Sequence, residues 1–343
     1  MSDPNAHSLI VYDEESLSVR LYRLIQSLIE DFLEIIYAVV TQKSKLERVL
    51  EGRWESRASQ MVLIEKCLRA RVNGAAHPSM GGLRYRRVAP NVQHTDDDTE
   101  LVLKEEQVKA DGDRRLAMKI ALERARTFIS AYDELCVEAL FALRGVPKRP
   151  GQGWITVETL RTESYDKTNP KHEKMLRKLF RLMCPDEELT GMVSRQWREI
   201  GFQGDDPSTD FRGMGILSLH QLIFFAQFDV AAMHSVLGLS RHPTIGFPFA
   251  IAGITFTSLT RALLSTEQLK RHFYNTLAAP PTIEDVHRVY CRVFSLFAEY
   301  WRRAHPPTIM HFNAVRMAFE RSLSIRLSAD DANLDEMTVE DLP

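Results

Sequence analysis

This chain has few cysteines and spends them singly. Cys67, Cys136, Cys184 and Cys291 lie far apart, none in a Cys-x-x-Cys pair and each in an apolar, helix-patterned context. That argues against a zinc site and reads as the reduced, buried thiols of a cytosolic protein. An excess of one charge is also missing: Lys+Arg 44 against Asp+Glu 46 leaves a net charge of -2. A broad electrostatic footprint for nucleic acid needs a strongly basic face, so no nucleic-acid partner is expected. The opening MSDPNAHSLIVYDEES lacks the basic, apolar, small-residue order of a secretory signal. Position 2 is Ser2, not the glycine that myristoylation requires. No transmembrane segment is expected either. The apolar stretch at 16–50 is interrupted by Glu30, Asp31 and Glu34. The uncharged run 243–260 is diluted by Gly246, Pro248, Gly253 and several hydroxyl residues and closed by Arg261, which suits a central buried helix. Internal repeats are absent, which speaks against a solenoid.

What is present is helical periodicity, and with 44% hydrophobic residues in 343 the chain can build a substantial core. Strand signals are sparse, so the predicted class is all-α, a compact multi-helix architecture with an N-terminal helical extension. A first long helix over 16–50 has Ser16 as its N-cap and a broad apolar face that could pack in a core or lie on a membrane. A second helix follows near 54–72. The stretch around 73–99 is rich in Gly, Pro and polar residues and reads as a flexible surface loop, with Arg84, Arg86 and Arg87 beside Tyr85. Helical pattern returns over 100–143 and stops at Gly145 and Pro147; the Pro147/Pro150 spacing is a weak docking signal. These observations divide the chain into an N-terminal helical region at 1–150, a main domain at 151–328 and an acidic tail at 329–343. Asn169 before Pro170 predicts a helix start, and Thr282 with Glu284 and Asp285 predicts another. Pro306 and Pro307 should break the second of these, a last helix should run to about Leu327, and the tail SADDANLDEMTVEDLP should be disordered.

The most informative stretch is 197–225, WREIGFQGDDPSTDFRGMGILSLHQLIFF. Its polar half favours turns, because Gly tolerates positive φ and Asp bonds its own following backbone. From Ile216 the spacing becomes helical, so a turn-rich loop carrying Phe211 and Arg212 runs straight into an apolar anchoring helix. Asp205, Asp206 and Asp210 lack the alternating ligands and distal Glu of a calcium loop, which favours Asx-turn and capping roles over metal binding. The Gly-Met-Gly at 213–215 is neither a phosphate loop nor a dinucleotide fingerprint. No Ser-His-Asp or Cys-His grouping can be placed. His220 and His234 follow the motif and should face a neighbouring helix or solvent. No metal and no cofactor of the chain's own are expected.

Trp197, Gly201, Phe202, Gln203, Asp206, Pro207, Thr209, Asp210, Phe211, Arg212, Gly213 and Gly215 resemble the signature of ELMO-domain proteins. The likeness is to the short branch that activates Arf and Arf-like GTPases, and Leu217, Leu219, Leu222 and Phe225 extend it. Phe224 departs from it, standing where the family often has tyrosine. Flanking similarity runs from about Glu163 to the stretch MHFNAVRMAFERSL and so covers the second half of the chain.

The resemblance implies a cytoplasmic GTPase-activating protein, open to peripheral contact with an organelle membrane. Its partner would be an Arf-family GTPase in the GTP-bound form, which itself holds the nucleotide and Mg²⁺. Arg212 would be the catalytic arginine finger, with the other motif residues positioning it. Asp210 is expected to orient Arg212, and Gly213 and Gly215 to admit the partner's backbone. Phe202, Phe211 and Trp197 read as packing anchors. The competing reading is a non-catalytic interaction module of the larger ELMO scaffolds. The complete Asp-Phe-Arg-Gly motif and the lack of room for armadillo-like and lipid-binding domains favour the activator.

Overall fold

The computed structural model describes residues 45–72, 116–133, 135 and 157–343, and among them every regular element is a helix. The all-α expectation therefore holds. The chain divides into two units, residues 1–52 with 66–118, and residues 53–65 with 119–343. In the first, α1 (Lys45–Glu51) buries Leu46 and Val49, three apart on one helical face. The anticipated Ser16 cap, the loop near 73–99 with its arginines and the Pro147/Pro150 pair lie outside the described residues.

The second unit carries the motif. It holds residues 57–65 of α2 (Arg57–Val72), of which Ala58, Met61 and Ile64 are buried and Glu65 meets Lys270 Nζ at 2.7 Å and Tyr274 Oη at 2.8 Å. Helix α3, over 116–133, follows the same logic, with Phe128 against Tyr274 and Tyr132 donating to the Leu264 carbonyl at 3.0 Å. Then come α4 (Val157–Thr162), α5 (Pro170–Met183), α6 (Gln196–Glu199), a 3₁₀ turn (Pro207–Arg212) and α7 (Gly215–Phe228). After these lie α8 (Val230–Ser240), α9 (Phe249–Ser265), α10 (Lys270–Thr276), α11 (Ile283–Ala304) and α12 (Phe312–Leu327).

The two predicted helix starts are built as expected. Asn169 Oδ1 accepts from the Lys171 amide at 3.0 Å, with Pro170 in the first turn, where its missing N–H costs nothing. At α11 the Thr282 and Asp285 side chains form a reciprocal capping box. That helix ends at left-handed His305 (φ 44°), just before Pro306 and Pro307. Helix α7 is the hub: Ile216, Leu217, Leu219, Leu222, Ile223, Phe225 and Ala226 are all buried, and α4, α5, α8, α9 and α11 pack around it. A helix apolar on every side is stable in water only when surrounded in this way. Beneath it, Phe256 lies 4.6 Å from Phe297 and Phe249 lies 5.1 Å from Phe294, ring centre to ring centre. Helix α9 is the central buried helix predicted over 243–260, offset toward its C-terminal side. Among the described residues no single helix is long and apolar enough to cross a membrane.

The expectation for 329–343 is corrected. Ala332, Leu334, Met337, Val339 and Leu342 are buried, and a 3₁₀ turn forms over Val339–Asp341 with its own Thr338/Asp341 capping box. Arg292 donates to the carbonyls of Leu334 and Met337, and Ser322 to that of Pro343. The acidic count suggested a solvated tail, but apolar residues spaced between the acids reach the core while the carboxylates stay outside. Burial follows that spacing, not net charge.

Candidate functional site

The polar half of the motif is ordered by its own side chains. Asp206 caps the 3₁₀ turn: one carboxylate oxygen accepts from the Ser208 amide at 3.1 Å and hydroxyl at 2.6 Å. The other accepts from Lys167 Nζ at 2.5 Å. Partial burial opposes ionisation of this carboxyl, yet the bonds from Lys167 and Ser208 prevail and hold its pKa below the ordinary value. Pro207 occupies the first position of the turn, where a fixed φ is an advantage. Thr209 Oγ1 donates back to the Asp206 carbonyl at 3.1 Å, and Asp210 accepts from the Gln203 amide at 2.9 Å. Asp205 pairs with Arg198 at 2.7 Å. Each aspartate thus has a local capping or pairing partner, as the Asx-turn reading expected.

The apolar half fastens this loop to the core through a row of rings. Phe211 stacks on Tyr165 at 5.6 Å and meets Phe202 edge-on at 5.7 Å. Phe202 in turn meets Trp197 at 5.6 Å, and Trp197 meets Phe180 of α5 at 5.4 Å. Trp197 is fully buried and donates from Nε1 to the Met192 carbonyl at 3.1 Å. Phe202, Phe211 and Trp197 are packing residues, as anticipated.

Glycine is required at two places. Gly201 has φ 85°, and a Cβ there would stand 2.2 Å from the Phe249 amide nitrogen. The close approach lets the Ile200 and Gly201 carbonyls accept from the Ala250 and Ile251 amides, which satisfies the N-terminus of α9. Gly215 has φ 55°, and a Cβ there would stand 2.3 Å from the Arg161 carbonyl oxygen. The next amide, of Ile216, donates to the Glu163 carbonyl at 2.8 Å. Gly215 is therefore used to seat α7 against the end of α4, which corrects the expectation that it faces a partner. Around Gly213 a Cβ would meet nothing within 4 Å.

Arg212, last residue of the 3₁₀ turn, is exposed. Its Nε donates to the Thr209 carbonyl at 2.8 Å, and among the described residues its two terminal nitrogens have no partner. The expected bond from Asp210 does not form, because that carboxylate is turned to the Gln203 amide. Lys167 and Arg198, by contrast, are each neutralised by an aspartate of the loop. The cavity beside the motif, lined by Tyr165, Lys167, Leu176, Met192, Asp206 and Ser208, measures about 60 Å³. Ligand pockets run to roughly 300–1,000 Å³, so this one does not enclose a nucleotide.

Sequence reading missed Tyr165, Lys167 and the Glu163 carbonyl. All three lie in the turn before α5, where only the Tyr-Asp-Lys-Thr-Asn-Pro run hinted at a structured turn. His172 organises that turn: its Nδ1 accepts from the Asp166 amide at 3.0 Å, which leaves Nε2 to donate to Glu163 at 3.0 Å. His220 is half-buried, and burial lowers its pKa.

Fold and site together define an all-α domain that presents an uncompensated arginine at its surface on a braced turn. Comparison with known proteins agrees with that architecture: residues 155–316 match the ELMO/CED-12 family. ELMO domain-containing protein 2 of Mus musculus is 44% identical over 167 residues, covering 49% of this chain and 57% of that protein. The Bos taurus protein of the same name is 37% identical over 224 residues, 65% of this chain and 70% of that protein. ELMO domain-containing protein 1 of Bos taurus is 43% identical over 195 residues, 52% of this chain and 60% of that protein. The chain belongs to the ELMO/CED-12 family. Its match spans under three fifths of the mouse protein's length. No solved structure matches it.

Proposed function

We propose that this chain accelerates GTP hydrolysis by a small GTPase of the Arf or Arf-like kind, with Arg212 entering the partner's nucleotide site. The observation that carries the reading is an exposed Arg212 with no countercharge, on a turn braced by Asp206, Asp210 and the Phe211 ring. Hydrolysis spreads charge over the transferred phosphoryl oxygens, and a GTPase often lacks a cation to meet it. A guanidinium is planar, always charged and can give two parallel hydrogen bonds, which a lysine ammonium cannot. A finger of this kind is worth about 10³ to 10⁵ in rate, roughly 4 to 7 kcal/mol. The Thr209 carbonyl engages Nε and leaves both terminal nitrogens to the incoming phosphate. An arginine already braced loses less freedom on binding, and its transition-state contacts are correspondingly more effective. The nucleotide and Mg²⁺ belong to the partner; this chain contributes the guanidinium and the surface around it. The test is single-turnover GTP hydrolysis by a panel of Arf and Arf-like GTPases with native protein, Arg212→Lys and Arg212→Ala. Stimulation by native protein alone supports the finger. Stimulation that survives both folded variants refutes it, and binding without stimulation assigns the chain to the non-catalytic interaction modules.

A further inference from the structure

Helix α5 starts directly beside the motif, since Lys167 and Tyr165, just before it, bond and stack onto Asp206 and Phe211. Its buried side carries His172, Leu176, Leu179, Phe180 and Met183. Its outer side carries Lys171, Lys174, Lys178 and Arg181, spaced three, four and three apart and all exposed. Those intervals put the four cations in one row, about 15 Å long at the helical rise. Among the described residues none of the four side chains takes part in a hydrogen bond or ion pair. The pattern is local, because the whole chain carries a net charge of -2.

Several exposed cations elsewhere on this unit have an acidic partner. Arg288 pairs with Glu284 at 2.7 Å, Arg271 with Asp330 at 3.1 Å and Arg326 with Asp331 at 2.8 Å. Even on α5 the flanking Arg177 is held by Glu173 at 2.8 Å. A solvated helix face usually interleaves acids with bases at i and i+4, and this row does not.

We infer that the Lys171–Arg181 face of α5 is a contact for an anionic lipid bilayer. Lysine is depleted from specific protein interfaces, which are anchored by aromatic residues and arginine, and this row is lysine-dominated. Its half-exposed neighbours are Met175 and Leu182, which can rest at a headgroup boundary without deep insertion. An evenly spaced row of flexible ammonium groups matches a diffuse, laterally mobile charge. Anionic leaflets attract such groups within a Debye length, about 8 Å at physiological ionic strength. Because α5 is tied to the Asp206 turn, lipid contact along this row also orients the Arg212 surface relative to the membrane. The binding inference stands independently of the hydrolysis reading, since it is measured without any GTPase.

The experiment is co-sedimentation of the full chain with phosphatidylserine-containing vesicles and with pure phosphatidylcholine vesicles, at low and physiological salt. The variants are K171Q/K174Q/K178Q/R181Q and, as a control with a different exposed basic pair, R302Q/R303Q. Thermal melts check folding. The expected result is salt-sensitive binding to the anionic vesicles that falls about tenfold or more in the α5 variant and stays within about twofold in the control. Acetylation of Lys171, Lys174 and Lys178 should slow on adding anionic vesicles. Equal vesicle binding by the native protein and the α5 variant, equal loss in the control, or no binding to anionic vesicles overturns the inference. So does an α5 variant that keeps vesicle binding but no longer stimulates a soluble GTPase in vesicle-free solution, which would make the row a protein contact.

Discussion

Tyr165 stacks on Phe211 at 5.6 Å with the ring planes 26° apart, so the turn before α5 supports the residue immediately ahead of Arg212. An exposed arginine is thus mounted on a buried ring whose position depends on a segment more than forty residues earlier. Offset stacking contributes about 0.5–1.5 kcal/mol beyond burial. Tyr165→Ala should leave the fold intact, lower any stimulation of GTP hydrolysis by more than it lowers partner affinity, and be partly rescued by Tyr165→Phe. Equal effects of the alanine and phenylalanine variants would mean that the hydroxyl, not the ring, is what matters.

Arg212 itself should be nearly silent in stability. It is exposed, and its single bond is to the Thr209 carbonyl. Surface substitutions away from special features fall within about 0.5 kcal/mol, so Arg212→Ala should melt within a degree or two of the native protein. The same variant should lose essentially all stimulation of hydrolysis. A large drop in melting temperature would instead assign Arg212 a structural role.

The two glycines of Gly-Met-Gly should separate cleanly. Gly215→Ala places a Cβ 2.3 Å from the Arg161 carbonyl oxygen at a positive φ of 55°. Strain and displacement at such a site cost about 1–3 kcal/mol or more, which lowers the melting temperature by roughly 2 °C or more. Gly213→Ala meets nothing within 4 Å and should be tolerated in the free protein. Differential scanning calorimetry of the pair decides this, and equal melting temperatures would refute the account of Gly215.

Acid should weaken the fold through His287. Burial, reinforced by nearby His220, lowers the pKa of this side chain to about 4, against an ordinary 6.5. Between those values the unfolded chain binds the proton and the folded one does not, so stability rises with pH through that window. It is fully present above 6.5 and falls away toward 4, by roughly 3 kcal/mol from this group. Urea unfolding at pH 7, 6, 5 and 4 should show a shallower pH dependence for His287→Gln than for the native protein. Parallel curves would remove His287 as the source.

Leu334 tests the C-terminal segment. It is fully buried, and its amide donates to His272 Nδ1 at 3.1 Å. Leu334→Ala should cost about 2–5 kcal/mol, the range for truncating a buried leucine. A loose tail would give no change, and urea titration distinguishes the two.

Helix identity was legible because it depends on local rules. Asn169 with Pro170, the Thr282 box and the charge-free run into α9 each announce themselves within a few residues. The aromatic anchors were legible for the same reason, since large rings next to turn residues have little choice but the core. Asp210 was misread because two donors compete for one carboxylate, and only the folded loop shows the Gln203 amide nearer than Arg212. Gly215 was misread because its neighbour, the Arg161 carbonyl, is more than fifty residues away along the chain.

By itself the sequence determined an all-α protein, the helix starts at Asn169 and Thr282, the end of the last helix near Leu327, and a motif with an arginine at the junction of a turn and a buried helix. Those properties follow from periodicity, capping and turn chemistry, which act over a few residues. The tertiary structure decided which charges are neutralised and which are left over: Lys167 and Arg198 find aspartates, while Arg212 and the outer row of α5 do not. It also decided that residues 329–343 belong to the core. Both outcomes depend on contacts between distant segments, whose free energy is set by burial and three-dimensional proximity and not by neighbours in the chain.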